Sequence, residues 1–258
     1  RQRQMCIREG LSAVEKTNML FIVQDPYTSY YDAKVIRDFV ALTQKLGFDP
    51  ILLPFKPNGK AMHIKGFLAR FSKTAKTQAE FLNRVAKLNV PLVGVDPAIV
   101  LSYRDEYKEA LGDSRGDFHV LTAHEWLTNQ LESNALQSAV KNIAKSDRTF
   151  EWHLFPHCTE STFMPNSPKE WQHIFAQFGQ TLKVEKVGCC GMAGVFGHEV
   201  QNQTMSKDIY DVSWGKKLQG KDPNHCLATG YSCRSQVKRY EKAILKHPVQ
   251  ALLEVLNH

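Results

Sequence analysis

The sequence lacks an uninterrupted apolar run of about 18 residues, the length that a membrane-spanning helix needs. The polar opening Arg1-Gln2-Arg3-Gln4 also has neither the apolar core nor the cleavage pattern of a signal peptide. The missing apolar run predicts a soluble protein and leaves association with a membrane surface open. The first residue is Arg rather than Met, so we expect the chain to be a piece of a longer protein.

Cysteine is scarce for a disulfide-stabilised protein, with six residues among 258. Small secreted domains have a much higher density of cysteine. Two of the six, Cys189 and Cys190, are adjacent, and adjacent cysteines do not easily bridge each other because a disulfide needs converging Cβ vectors. The cysteines therefore indicate metal ligation and a reducing compartment, which predicts a cytoplasmic protein.

Positive charge is not concentrated in any one run. The net charge is +7, yet the Lys and Arg residues are spread along the chain, and the densest group is Arg234, Lys238 and Arg239 at helical spacing. A nucleic-acid-binding protein gathers such residues into a patch with interleaved aromatic side chains. We therefore predict no nucleic-acid partner and interpret this group as a solvated helix face beside an acidic domain or an electronegative cluster.

Short apolar runs alternate with segments of helical periodicity. The runs at 19–25 and 91–95 are typical of strands buried on both faces of a parallel sheet. Apolar residues three and four positions apart predict helices between them, including two over about 64–72 and 77–88. Strands that alternate with helices predict an α/β fold with parallel strands.

The second half of the chain repeats the spacing of the first half. Asp25 to Gly47 is 22 positions, and Cys158 to Gly179 is 21. Such a repeat predicts two tandem, pseudo-symmetric α/β lobes that share an interface. The predicted divisions are a linker over 1–18, a first lobe over 19–131, a helical connector over 132–148 and a second lobe over 149–258.

Four cysteines of the second half follow predicted strands. Cys158, the pair Cys189-Cys190 and Cys233 each fall at a strand-to-helix turn, the edge at which parallel sheets place ligands. The first half has no cysteine at the matching positions, so only the second lobe can carry a thiolate site. Four thiolates suit either a [4Fe-4S] cluster or a structural zinc ion, and the sequence leaves both open.

Glycine and histidine residues flank these thiols. Glycine lets backbone amides approach the sulfur atoms, and such hydrogen bonds tune the potential of a cluster. A neighbouring histidine can donate a hydrogen bond or replace a ligand, with a surface or core position as the alternative. The residues assigned to the cofactor site on this basis are Gly188, Gly191, Gly194, His157 and His198. No residue is predicted to be catalytic.

Other interpretations of the cysteines stay open. In one interpretation the four cysteines are unrelated core residues, which leaves the adjacent pair and the repeated spacing unexplained. A redox-active thiol at Cys189 or Cys190 is another, and it predicts a low thiol pKa. Cys226 lies within an apolar strand and is expected to be a core residue, with replacement of a ligand as the alternative. Cys6 is expected to lie outside the site.

The motif residues resemble a known family. Cys158, then Cys189-Cys190-Gly191, then Cys233 are similar in order and spacing to the cysteine-rich domain named for its Cys-Cys-Gly (CCG) motif, which usually occurs as two tandem copies. The segment 228–239 resembles in particular the C-terminal region of long bacterial fused FAD-linked oxidases of the D-2-hydroxyglutarate or D-lactate dehydrogenase type.

The resemblance implies an iron–sulfur electron-transfer domain. It implies that an upstream FAD domain oxidises a D-2-hydroxy acid and that ferredoxin-like domains pass single electrons to this chain and on to an acceptor. The isolated chain would then not be catalytic, and a homo-oligomer is compatible with this interpretation. The alternative is a zinc-bound structural or assembly module of the same flavoprotein.

Two departures from the family pattern affect the ligand count. Gly230 stands where the general motif has the first of its last two cysteines, and the first copy has lost its cysteines. Both departures favour a single site with four ligands over a cluster that needs five or more.

Overall fold

The computed structural model describes residues 16–133, 135–136 and 150–257. Cys6, most of the predicted linker over 1–18 and most of the predicted connector over 132–148 lie outside these ranges. Within them the chain forms two parallel β-sheets covered by helices, which confirms the predicted α/β fold with two lobes. The limits of the predicted domains stay predictions.

The two lobes share one topology over their first three strands. The strands of the first lobe are β1 (Met19–Ile22), β2 (Asp49–Leu52), β3 (Leu92–Gly94) and β4 (Val120–Thr122), paired in parallel in the order β2-β1-β3-β4. The strands of the second lobe are β5 (Glu151–Phe155), β6 (Thr181–Val184) and β7 (Cys226–Ala228), paired in parallel in the order β6-β5-β7. In each lobe the first strand therefore lies between the second and the third.

Helices connect the strands. Those of the first lobe are α1 (Ala33–Lys45), α2 (Lys60–Ile64), α3 (Leu68–Ala86), α4 (Pro97–Arg104), α5 (Glu106–Leu111) and α6 (Ala123–Glu132). Those of the second are α7 (Cys158–Phe163), α8 (Ser167–Gln177), α9 (Gln203–Tyr210), α10 (Lys216–Leu218), α11 (Tyr231–Glu241) and α12 (Pro248–Val255). Short π-helical turns cover Tyr27–Tyr31 and Asp211–Gly215, and 3-10 turns cover Gly112–Arg115, Phe196–His198, Val200–Asn202 and Pro223–His225. None of the helices in the described ranges is long and apolar enough to cross a membrane.

The prediction of two helices over 64–72 and 77–88 is wrong. A single helix, α3, runs through the gap, because Phe71, Ala75, Ala79 and Leu82 form one continuous buried stripe along it. The break lies earlier, around Gly66, whose φ of 76° is left-handed and ends α2.

One hydrophobic core runs through both lobes. It packs α1 against α12 and α6 against α8. Its largest buried side chains come from both halves of the chain and are Phe39, Trp126, Trp152, Trp171 and Phe175. Burial of each such side chain contributes about 1.5–3 kcal/mol, so apolar packing sets how the lobes meet.

The carboxyl ends of the two sheets meet at this interface. Asp96, which follows β3, accepts a hydrogen bond from the backbone N–H of Tyr231, which follows β7, at 2.9 Å. A cavity of about 240 Å³ lies beside them, lined among others by Tyr27, His157 and Ser232. The turns after the strands of one lobe therefore contact the turns of the other.

Candidate metal centre

The four predicted thiols lie at the carboxyl end of the second sheet. Cys158 is the first residue of α7, Cys189 and Cys190 lie in the loop after β6, and Cys233 lies in the first turn of α11. Cys190 and Cys233 are 3% and 2% exposed, whereas Cys158 and Cys189 are half-buried. The four thiols therefore come from three separate turns and lie at one edge of the second sheet.

The four thiols contact one another, and these contacts shift the pKa values of Cys158, Cys189 and Cys190. Hydrogen bonds from the thiols of Cys158 and Cys190 lower the pKa of Cys189. The contact with Cys189, followed by burial, raises the pKa of Cys158. Contacts with Cys189 and Cys233, followed by burial, raise the pKa of Cys190. Thiol contacts therefore run in a row from Cys158 through the adjacent pair to Cys233, and the charge of Cys233 also acts on Cys158.

No three His, Cys, Asp or Glu side chains are grouped as the ligands of one metal ion within the part of the chain that the structure describes. The thiol site is therefore a candidate on its residue chemistry and on the pairwise thiol contacts.

The Cys-Cys-Gly loop directs backbone amides towards sulfur. Gly191 has a φ of 83°, and its N–H donates to Sγ of Cys189 at 3.3 Å. The N–H of Ala193, which also has a positive φ, makes a second such bond and helps to lower the pKa of Cys189. This local conformation satisfies a thiolate without a charged side chain.

The donor set fits a centre held by four thiolates. Sulfur is the soft ligand that iron–sulfur clusters and structural zinc ions select. Around Cys190 and Cys233, the side chains of Phe155, Met192 and Trp214 form an apolar wall. Such a wall limits the access of water and so affects the potential of a bound cluster.

Gln236 supports the Cys-Cys-Gly loop and is absent from the sequence-based assignment. Its Nε2 donates to the carbonyl oxygen of Cys190 at 3.0 Å and to Oγ of Ser206 at 2.9 Å. Ser206 in turn donates to the carbonyl oxygen of Gly191 at 2.7 Å. Because Gln236 lies one turn after Cys233 on α11, it ties two of the thiol-bearing turns together.

Glu160, which is also absent from the sequence-based assignment, connects the turn that carries Cys158 to the residue after β7. Its buried carboxylate, 1% exposed, accepts hydrogen bonds from the hydroxyls of Ser167 and Thr229. Thr229 accepts from the backbone N–H of His157 at 2.9 Å. The sequence shows only a glutamate two residues after Cys158, and its burial and its contact with Thr229 appear only in the structure.

His157 and His198, both assigned from the sequence, have different surroundings. His157 is 7% exposed, its Nδ1 has no hydrogen-bond partner among the described residues, and its ring packs on Gly230. His198 lies on the 3-10 turn after the loop, where burial, and then the charge of Arg239, lower its pKa. Of the two, only His157 borders a thiol-bearing turn directly.

Gly188 and Gly194 have contacts other than sulfur. The N–H of Gly188 donates to Oγ of Ser213 at 2.7 Å, which anchors the loop to the π-helical turn Asp211–Gly215. Gly194 has a φ of 71°, and a Cβ there would lie 2.8 Å from Ile64 of the first lobe. Gly194 therefore permits the close approach of α2.

Polar side chains replace the thiols at the matching turns of the first lobe. Asp25, Asn58 and Asp96 are each at most 3% exposed. Asp25 Oδ1 accepts from the backbone N–H groups of Tyr27 and Thr28 at 2.8 and 3.0 Å. Burial, followed by the charge of Asp96, raises the pKa of Asp25 to about 6.

The raised pKa of Asp25 makes stability depend on pH. The folded chain holds this proton more tightly than the unfolded chain, so the free energy of unfolding should fall as the pH rises from about 4 to about 6. The loss is at most about 3 kcal/mol. Asp25→Asn should remove this slope and be more stable at pH 7, as measured by urea unfolding of the metal-free chain. The exposed Asp222→Asn is the control, and an unchanged slope in Asp25→Asn would contradict the prediction.

No family model matches the chain. Over 249 residues the chain is 82% identical to a D-2-hydroxyglutarate dehydrogenase of Haemophilus influenzae and 57% identical to one of Escherichia coli, in both cases covering 96% of this chain and 24% of the relative. It is 21% identical over 234 residues to a subunit of the anaerobic glycerol-3-phosphate dehydrogenase of Escherichia coli, covering 89% of this chain and 57% of the relative. The chain is therefore similar to D-2-hydroxyglutarate dehydrogenases over about a quarter of their length.

Proposed function

We propose that the chain is the iron–sulfur electron-transfer part, of the CCG type, of an FAD-dependent D-2-hydroxyacid dehydrogenase. The observation that carries the proposal is the row of four interacting thiols on three turns. The similarity to D-2-hydroxyglutarate dehydrogenases supports D-2-hydroxyglutarate as the substrate of the whole protein. In this proposal Cys158, Cys189, Cys190 and Cys233 hold a [4Fe-4S] cluster.

A bound cluster would supply one-electron chemistry, which suits a relay between a two-electron flavin and an acceptor. The chain itself supplies the four sulfur ligands and the amide hydrogen bonds of Gly191 and Ala193. Its apolar wall excludes water, and Gln236 and Glu160 hold the thiol-bearing turns in place. These contributions set the orientation and environment of the sulfur atoms, while hydride removal would take place in the FAD domain outside this chain.

The proposal includes partners outside the chain. FAD and ferredoxin-like domains of the same polypeptide would donate the electrons, and a separate acceptor would receive them. We expect the isolated chain to have no dehydrogenase activity.

Anaerobic purification with metal analysis and EPR spectroscopy tests the proposal. We expect about four iron and four sulfide per chain and a signal from the reduced cluster. Stoichiometric zinc with neither iron nor sulfide would overturn the electron-transfer role.

That second result would support the alternative, a zinc-bound structural or assembly module. The observation that favours it is the count of four thiols, the usual set of a structural zinc site, with Gly230 at the position of a further cysteine.

A further inference from the structure

Asp96 of the cysteine-free lobe contacts two helix N-termini. Its carboxylate is 3% exposed, and Oδ1 accepts from the backbone N–H groups of Ala98 and Ile99 at 3.0 and 3.3 Å, which caps its own helix α4. The other oxygen, Oδ2, accepts from the N–H of Tyr231 at 2.9 Å. Tyr231 is the first residue of α11, the helix that carries Cys233.

Helix α11 has no N-cap side chain of its own. The first N–H groups of a helix lack partners within it, and a side chain at the N-cap usually accepts from one of them. The N-cap of α11 is Gly230. A Cβ at this position would lie 2.3 Å from Cδ2 of His157, so the fold excludes a capping side chain there. The acceptor therefore has to come from another element, and it comes from the first lobe.

Two further side chains of the first lobe hold the same turn. The ring of Tyr27 stacks on that of Tyr231, with centroids 5.2 Å apart and planes within 8°. Asp32 accepts from Nε of Arg234 at 2.9 Å, and Arg234 is 5% exposed. Tyr231 and Arg234, which lie on either side of Cys233, therefore both contact the first lobe, and Nη1 of Arg234 also donates to the carbonyl oxygens of Ala228 and Thr229 in the second lobe.

We propose that the cysteine-free lobe positions a ligand of the metal centre and that Asp96 is the positioning residue. By capping α11 across the interface, its carboxylate fixes the first turn of that helix and so sets the distance from Cys233 to Cys190. This role rests on the proposed metal centre. It gives the first lobe a function, the positioning of Cys233, that does not require a cysteine in that lobe.

Asp96→Asn separates the two contacts of the carboxylate. Asn caps a helix about as well as Asp, so Oδ1 can still accept from Ala98 and Ile99. The new amide group faces the N–H of Tyr231 and cannot accept from it. Asp96→Ser likewise keeps a local cap and removes the second acceptor. We expect both variants to release iron to a chelator about 5- to 10-fold faster than wild type and to show an altered EPR spectrum of the reduced cluster.

Asp222→Asn is the matched control. Asp222 also precedes a proline, caps the turn Pro223–His225 through the N–H of Asn224 at 3.0 Å, and is exposed. We expect iron release within about twofold of wild type. Amide exchange of the metal-free chain is the second measurement, in which Tyr231 should lose protection in Asp96→Asn and keep it in Asp222→Asn.

The outcomes separate the two proposals. Faster iron release, an altered spectrum and lost protection in the Asp96 variants alone support the positioning role. Asp96 variants that behave like Asp222→Asn overturn it while the metal centre stands, and so does failure of both Asp96 variants to fold, because Asp96 then serves the fold. A wild-type chain that binds neither iron nor zinc refutes the metal centre and, with it, this inference, even when the amide exchange of Tyr231 changes as expected.

Discussion

Replacement of Cys190 by alanine is expected to abolish the metal centre. Cys190 is 3% exposed and contacts both Cys189 and Cys233, so it is the middle of the row of thiols. Its loss leaves three thiols and removes the thiol contact between the Cys-Cys-Gly loop and Cys233. We expect metal content to fall from about four iron atoms per chain to background, together with loss of the EPR signal.

Cys226→Ala is the matched control for this experiment. Cys226 is also a buried cysteine of the second lobe, 0% exposed in β7, and burial raises its pKa to about 11. The interactions that shift the pKa values of the site thiols do not include Cys226. We expect full metal content and a stability loss of about 1 kcal/mol from the shortened core side chain. Loss of metal in this variant would make Cys226 a ligand, and full retention in Cys190→Ala would refute the proposed ligand set.

Gly191→Ala is expected to disrupt both the fold of the loop and the metal site. A Cβ at this position would lie 2.1 Å from the carbonyl oxygen of Ser206, which is backbone and cannot rotate away. The φ of 83° is strained for alanine as well. Loss of the native loop would displace the N–H groups that face Sγ of Cys189. We expect a loss of more than about 3 kcal/mol in urea unfolding and loss of most of the bound metal.

Gly179→Ala is the control that separates two causes of the stability loss in Gly191→Ala, the steric contact of the new Cβ and the strain of the left-handed backbone. Gly179 also has a left-handed φ, 68°, but a Cβ there meets no atom within 4 Å. We expect a loss of about 1–2 kcal/mol, which is the cost of the left-handed conformation alone, and unchanged metal content. If the two variants were equally stable, the contact with Ser206 would not constrain the loop.

The sequence by itself determined the architecture and the place of the thiols. Apolar periodicity predicted the strands and helices because it is a property of neighbouring residues, and the spacing repeated in the second half of the chain predicted two lobes. The position of Cys158, Cys189, Cys190 and Cys233 after strands then predicted that they share one edge, since the carboxyl ends of parallel strands lie together. The prediction of two helices in place of α3 was wrong because polar residues on the exposed face of a helix interrupt the apolar pattern without ending the helix.

Only the tertiary structure decided which side chains support those thiols and what the first lobe does. Gln236 bonds to a residue 46 positions away, Thr229 to Glu160 at 69 positions, and Tyr231 to Asp96 at 135 positions. The sequence around each of these residues does not indicate its partner, because each contact depends on how the helices and the lobes pack. The thiols lie at strand ends, and the position of a strand end follows from the topology of the sheet. The residues that hold the thiols are buried side chains from distant parts of the chain, and their contacts form only when the helices and the two lobes pack.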